Sequence, residues 1–297
     1  MNILFLAHRV PYPPNKGDKL RAFNILRHLS RKHKIWLACI SETKYDLKYQ
    51  NELKKYCQKV DIVVTGFACR KIKSMLYLFS NKPLTLPYFY SAKLYRKIKE
   101  IITKENFDLI FIYSSSMAQY VSTIKNIPKI IDFIDVDSEK WKDYSDFSNF
   151  LSKIIYVLES NRLRSYEKKL IESCSRSIVT SNEEVKVFQT FVSKGKIEAV
   201  SNGVDFEYFK PVACDYKNNQ LIFTGVMDYF DNVDGILYFH KEILPLIKKE
   251  VPDVKLFIVG AHPTNEIKRL ANEEIIVTGF VEDVRPYLER SAVCVAP

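Results

Sequence analysis

Apolar residues occur along this chain in short runs separated by amphipathic stretches. Asn2–Ala7 is an unbroken apolar run that enters a Pro-rich turn, Val10-Pro-Tyr-Pro-Pro14, and the loop Asn15–Asp18. A run of that length, bounded by turn residues, predicts a strand covered on both faces. Positions Leu20, Phe23, Ile25, Leu26 and Leu29 then predict a helix over about Lys19–Arg31. The alternation continues with strands expected at Ile35–Ile40, Val60–Thr65, Asp108–Tyr113, Lys129–Asp135, Ser177–Ser181 and Ile197–Val200. Helices are expected at Tyr45–Lys59, Lys93–Glu105, between the fourth and fifth strands, and at Glu159–Cys174 and Glu183–Val192. After Asn202-Gly203 the pattern restarts. Strands are expected at Leu221–Thr224, Lys255–Val259, Ile275–Thr278 and from Val293, with helices at Val233–Val251, Glu266–Ala271 and Val284–Ser291. Strands alternating with helices predict two α/β units with parallel sheets. The expected division is 1–205 and 206–297, near Pro211 and the polar stretch Asp215–Gln220.

Composition narrows the class. A chain of 297 residues with 47% hydrophobic content can bury two cores, which excludes a disordered or disulfide-stapled chain. The start lacks the long apolar segment of a secretory signal, and nothing approaches a membrane span. The six cysteines (39, 57, 69, 174, 214 and 294) fall in no metal-binding spacing, so free thiols and a reduced cytoplasmic setting are expected. Residues 206–297 hold ten Lys/Arg against fourteen Asp/Glu, so the basic excess of 45 over 35 belongs to the first part. A basic half implies an anionic partner: nucleic acid, a phospholipid surface or a phosphorylated substrate. A lysine-rich solvated surface gives the same arithmetic. The last residues, Ser291–Pro297, form an apolar run without a polar tail, from which a C-terminally truncated chain is expected.

Ligands of open α/β sheets sit beyond the carboxyl ends of the strands, so chemistry is sought in the loops that follow them. Loop Arg9–Asp18 carries Arg9, Lys16, Gly17 and Asp18, where a glycine before a helix lets backbone N–H groups approach an anion or sugar. It also reads as a tight surface turn. Asp132, Asp135, Asp137 and Glu139 crowd the end of the fifth strand. Carboxylates there can orient sugar hydroxyls or act as a base, and Asp137 or Ser138 can instead cap the next helix. Gly225, Gly260 and Gly279 follow three successive strands, which places backbone near a common ligand or serves packing. The tract Arg70–Lys104, with Arg70, Lys71 and Lys73, interleaves basic and aromatic residues. That composition suits a membrane interface or single-stranded nucleic acid, and equally a core with solvated lysines.

Arg9-Val-Pro-Tyr-Pro-Pro-Asn-Lys-Gly-Asp-Lys-Leu-Arg21, Asp132–Trp141, Ser201-Asn-Gly-Val-Asp205, Phe223–Tyr229 with Asn232-Val-Asp234, and Gly279–Val284 resemble group 1 glycosyltransferases. The subgroup most similar is that associated with PEP-CTERM/exosortase systems and exopolysaccharide synthesis. The resemblance implies a GT-B fold, two facing Rossmann-like domains, the second incomplete here. It implies sugar transfer with retention from a UDP- or GDP-sugar bound by the second domain to a glycan or lipid-linked acceptor bound mainly by the first. Asp135 would stand beside the reacting sugar. Gly17, Gly225, Met227 and Asp228 would approach the donor phosphates, and Val281 and Asp283 the nucleotide base. Arg9, Lys16, Arg70, Lys71 and Lys73 are the acceptor or membrane candidates. No metal or cofactor and no nucleic acid partner are expected, and the location implied is cytoplasmic, peripheral at the inner membrane face. Two departures stand out. The loop after Gly225 offers Asp228, Asp231 and Asp234 where relatives carry an Arg and a Lys, and the family's paired glutamates would fall beyond Pro297. A non-catalytic remnant that keeps acceptor or membrane affinity is therefore a second reading, and a GT-B sugar-nucleotide epimerase a third.

Overall fold

The computed structural model describes residues 1–193, 195–210 and 217–297, apart from the side chains of residues 67–69 and 73. It divides into two compact units, Met1–Asn202 and Gly203–Pro297, close to the expected break. Pro211 and Asp215, expected at that break, lie outside the described residues, as does Cys214.

The first unit is built on seven strands: β1 (Asn2–Ala7), β2 (Lys34–Ser41), β3 (Lys59–Val64), β4 (Leu109–Tyr113), β5 (Lys129–Asp132), β6 (Arg176–Val179) and β7 (Ile197–Ala199). Their order is β3-β2-β1-β4-β5-β6-β7, and neighbouring strands are parallel. Alternate residues of β1 enter opposite cores. Leu4 and Leu6 join Ile98, Ile112 and Met117 on one face, while Ile3, Phe5 and Ala7 join Phe23, Leu26 and Phe111 on the other. Burial on both faces is why these strands are continuous apolar runs. The strand order reverses between β1 and β4, the point at which open α/β sheets bind ligands in a crevice beyond the carboxyl ends of their strands.

The second unit holds β8 (Lys217–Thr224), β9 (Lys255–Val259), β10 (Ile275–Gly279) and β11 (Ser291–Cys294), parallel in the order β10-β9-β8-β11. One core built on Leu221, Phe223, Ile236, Leu256 and Ile258 covers this sheet. Its order reverses between β8 and β11.

Four expectations are corrected. The helix expected over Tyr45–Lys59 is a 3₁₀ turn, Lys44–Tyr49, followed by one α turn, Gln50–Leu53, of which Leu53 alone is buried. The helix expected from Glu159 begins at Phe150 and runs to Ser173, after a separate helix, Asp137–Asp146. Its first turns carry exposed Phe150, Leu151 and Ile154, so no amphipathic stripe announced them. Strand β5 ends at Asp132 because Ile134 adopts a left-handed backbone, φ +70°. The helix expected over Val233–Val251 is interrupted. Phe230–Tyr238 leads through a π turn, Phe239–Ile243, into Leu244–Glu250, where Pro245 has no N–H to continue the α ladder. Of the cysteines, Cys39 and Cys57 are buried thiols, Cys174 is half-buried and Cys294 is exposed.

Candidate functional site

The crevice between β1 and β4 gathers the polar residues of the first unit. His8, the residue after β1, stacks on Tyr113 at the end of β4 and meets the edge of Phe89. Its Nε2 is 3.5 Å from Asp18 Oδ2, while Arg9 Nη1 donates to the same oxygen at 3.0 Å. Tyr113 donates its hydroxyl to the Asp18 carbonyl at 2.6 Å. Burial alone would raise the Asp18 pKa, but the His8 hydrogen bond and the Arg9 charge outweigh it and hold the carboxyl well below its usual range. His8 Nδ1 is buried with no partner among the described residues.

Arg21 lies one turn into helix Gly17–Ser30 and is 6% exposed. Its Nε donates to Asp132 Oδ2 at 2.8 Å, and its Nη1 to the Val200 carbonyl at 2.7 Å and Asn202 Oδ1 at 3.0 Å. Nη2 is left without a partner among the described residues. Asp132 is fully buried and also accepts from the Ile134 N–H. Burial pushes its pKa up, and Arg21 opposes that shift. This ion pair ties β1's helix, the end of β5 and the segment after β7 together.

Two strained backbone positions flank the crevice. Ser114 (φ +79°) and Ile134 (φ +70°) follow adjacent strands, and the Ser114 N–H donates to the Asp132 carbonyl. Non-glycine residues in this region carry about 1–3 kcal/mol of strain each and persist only where their surroundings impose it. The left-handed turn at Ile134 delivers Asp135 to the surface, exposed and without a side-chain hydrogen bond among the described residues. Lost hydration at the strand ends, then the Glu184 carboxylate, raises the Asp135 pKa.

Asp137 turns the other way. It is not a cap: the helix it opens has Val136 at its N-cap position, and Asp137 instead accepts from Ser115 Oγ at 2.9 Å. Capping comes from Glu167, which accepts from the Ser138 N–H at 3.1 Å and from Ser138 Oγ at 2.6 Å. Burial, with Asp137 nearby, pushes the Glu167 carboxyl up to about 8. Glu167 and His8 went unnoticed in the sequence because each acts through partners distant along the chain. A basic side chain among Ala22, Phe23 and Leu26, the buried positions of its helix, was the one available signal for Arg21.

The other expected residues are placed as follows. Gly17 opens its helix, and a Cβ there would meet nothing within 4 Å, so its own packing does not require glycine. Lys16 is exposed at the same helix start. Arg70 is not available to a membrane or acceptor. It is 3% exposed, donates to Thr65 Oγ1 at 2.7 Å and Glu42 Oε1 at 3.2 Å, and lies over Tyr88 and Phe89. Lys71 is exposed, and the Lys73 side chain lies outside the described residues.

In the second unit two of the three glycines at the strand ends are closely packed. A Cβ on Gly260 would fall 1.7 Å from the Gly225 carbonyl oxygen, and one on Gly225 2.7 Å from Asn232 Nδ2. Met227 is fully buried in the core, so its side chain offers nothing to a ligand, whereas Asp228 is exposed. Val281 is half-buried. Asp283 accepts from Arg285 Nε at 2.9 Å and Nη2 at 2.7 Å, a pairing that lowers its pKa, and Arg285 covers the Tyr208 ring at 4.1 Å. Among the described residues no group of three His, Cys, Asp or Glu is arranged to hold a metal ion. No helix among them is long and apolar enough to cross a membrane.

This is an α/β fold with parallel, Rossmann-like sheets that resembles GT-B glycosyltransferases. Residues 218–297, from the first strand of the second unit onward, match the family model described as glycosyl transferases group 1. A glycosyltransferase from Rickettsia africae is similar over 99% of this chain and 72% of its own, at 16% identity and a TM-score of 0.58. TarM is similar over 99% of this chain and 79% of its own, at 10% identity and a TM-score of 0.58. Among curated proteins, an uncharacterized 44.6 kDa protein in the cps region of Klebsiella pneumoniae is 22% identical over 268 residues. That alignment takes in 87% of this chain and 64% of the relative, so the chain spans less than two thirds of that relative's length.

Proposed function

We propose that the protein transfers a glycosyl group from a UDP- or GDP-sugar to a glycan or lipid-linked acceptor during exopolysaccharide or other cell-surface glycan synthesis. The observation that carries this reading is the group 1 glycosyl transferase match over 218–297, which covers the sheet of the second unit. The likeness to a protein of a cps region supports the exopolysaccharide part, and the opening motif Arg9–Arg21 supports the PEP-CTERM/exosortase-associated subgroup.

In this reading the second unit takes the donor. Gly225 and Asp228 leave β8 at the reversal of strand order, where backbone N–H groups can meet a diphosphate, and Asp283 with Val281 lies toward the base. Met227 contributes by its backbone alone. The first unit takes the acceptor in the β1–β4 crevice, with Arg9 and Lys16 at its rim, while Gly17 is assigned by the resemblance to the donor phosphates. Asp135, exposed and without a side-chain hydrogen bond among the described residues, has a carboxylate that can face the reacting sugar and steady positive charge on it. Neutralisation of the leaving diphosphate falls to protein cations and dipoles, without a metal ion or cofactor.

The test is a binding screen of UDP- and GDP-sugars by calorimetry, followed by release of the nucleoside diphosphate with acceptor present. Saturable binding of one nucleotide family is expected. A failure of every UDP- and GDP-sugar to bind at millimolar concentration would overturn the reading.

A further inference from the structure

The strained backbone positions Ser114 (φ +79°) and Ile134 (φ +70°) persist only if neighbouring structure imposes them, and helix Phe150–Ser173 supplies that constraint. Two consecutive residues of the helix each reach one of the two loops. Glu167 accepts from the Ser138 N–H at 3.1 Å and from Ser138 Oγ at 2.6 Å, four residues beyond Ile134. Tyr166 donates its hydroxyl to the Ser115 carbonyl, one residue beyond Ser114, at a long 3.4 Å. The loops are also tied to each other, since Ser115 Oγ donates to Asp137 Oδ2 at 2.9 Å. Glu167, Ser138, Asp137, Ser115 and Tyr166 thus close a ring at the foot of the turn that carries Asp135. Earlier in the same helix, Glu159 and Arg162 hold the main chain of segment 77–85, so this helix fixes several loops of the first unit.

Glu167 is the member of the ring whose state can change its fit. Glu167 and Ser138 are both wholly removed from water. The charged groups that act on Glu167 from the packed helix Asp137–Asp146 are Asp137 and Glu139, both of its own sign. Asp137 in turn feels Asp135, while Lys140 and His8 oppose that repulsion. The 3₁₀ turn Ser115–Tyr120, packed on the same helix, contains no charged residue. A neutral Glu167 therefore sits comfortably beside Asp137, whereas an ionised one sets a second buried anion against the first. Burial and the Asp137 charge accordingly push its carboxyl up to about 8.

We propose that Glu167 is a positioning residue that holds the turn 134–138 in its strained form, presenting Asp135 at the crevice, and that lets the turn loosen when it ionises. Its bearing on sugar transfer rests on the role given to Asp135 in the reading above. The hold on the turn is measured without donor or acceptor, so each can fail without the other.

The experiment is amide hydrogen exchange of the full chain, read by mass spectrometry as protection factors, from which the intrinsic pH dependence of exchange has been divided out. Protection of residues 134–138 should fall about tenfold or more from pH 6 to pH 8 in the parent, because the open turn releases a proton that the closed turn holds. Strand β1 is the internal control and should stay protected throughout. Glu167→Gln keeps the size of the neutral carboxyl and can still accept from the Ser138 N–H, so its turn should remain protected at both pH values. Glu167→Ala should leave the turn poorly protected at both. A pH-dependent fall that persists in Glu167→Gln would overturn the proposal, and so would a parent turn equally protected at pH 6 and pH 8. Unimpaired transfer by Asp135→Ala, with the exchange results as expected, would overturn the role of Asp135 and leave the hold of Glu167 established.

Discussion

Arg21 and Asp132, 111 residues apart in the chain, form a buried ion pair in which Nε lies 2.8 Å from Oδ2 and both side chains are almost wholly removed from water. The pair fastens the helix after β1 to the end of β5, beneath the crevice that the reversal of strand order opens. Removing one member leaves the other charged, buried and alone. Arg21→Met is expected to destabilise the first unit by about 3–5 kcal/mol, and Asp132→Ala to do the same. The double variant should cost less than the two together. Urea denaturation of the three proteins measures this, and strict additivity would show that the two side chains act independently.

Asp135 has the opposite character, exposed and without an internal hydrogen bond. Asp135→Ala is therefore expected to leave stability within about 0.5 kcal/mol of the parent. Sugar transfer should fall by about 10²-fold or more if the carboxylate acts on the reacting sugar. Turnover equal to the parent's would remove Asp135 from the site.

Glu167 makes the first unit sensitive to pH. Its carboxyl is pushed up to about 8 in the fold, from an ordinary value of 4.5, so the folded state holds a proton that the unfolded state releases. Stability from this group is complete below the unfolded value and is lost as pH rises through about 8. Asp18, held low, contributes the reverse: its stabilisation is present above the ordinary carboxylate range and is lost in acid. Glu167→Gln is expected to flatten the fall of the thermal midpoint between about pH 5 and 8. An unchanged slope would place that proton elsewhere.

In the second unit, Gly260→Ala directs a methyl group into the Gly225 carbonyl oxygen at 1.7 Å, against backbone that cannot rotate away. A loss of more than about 3 kcal/mol is expected, in the range of severe core substitutions. Gly17→Ala meets nothing and should leave stability nearly unchanged, so any effect of it on donor binding would report the ligand rather than the fold. Paired denaturation and binding measurements on the two variants separate these outcomes.

The strands were legible because a parallel strand buried on both faces is a continuous apolar run, and Asn2–Ala7 is the plainest case. Helix Phe150–Ser173 was half visible. Its later turns pack conventionally, but its first turns present apolar side chains to solvent, which removes the periodic contrast on which the pattern depends. Of the candidate site, what was legible is what a single loop determines, such as the exposed carboxylate of Asp135 just after β5. Arg21, His8 and Glu167 take their meaning from partners brought up by other strands and helices, and no local pattern carries that information. Of the glycines at the ends of β8, β9 and β10, Gly260 is required by the close approach of the Gly225 backbone and Gly225 by the Asn232 side chain, while a Cβ on Gly279 would meet nothing.

Arg162 and Glu159 grip segment 77–85 almost entirely through its main-chain carbonyl and N–H groups, Thr85 Oγ1 being the exception. A clamp that reads backbone does not read side chains. The outward-facing residues of that segment are thus free to vary in evolution without loosening their seat, so related chains could change what this surface touches while keeping the scaffold that presents it.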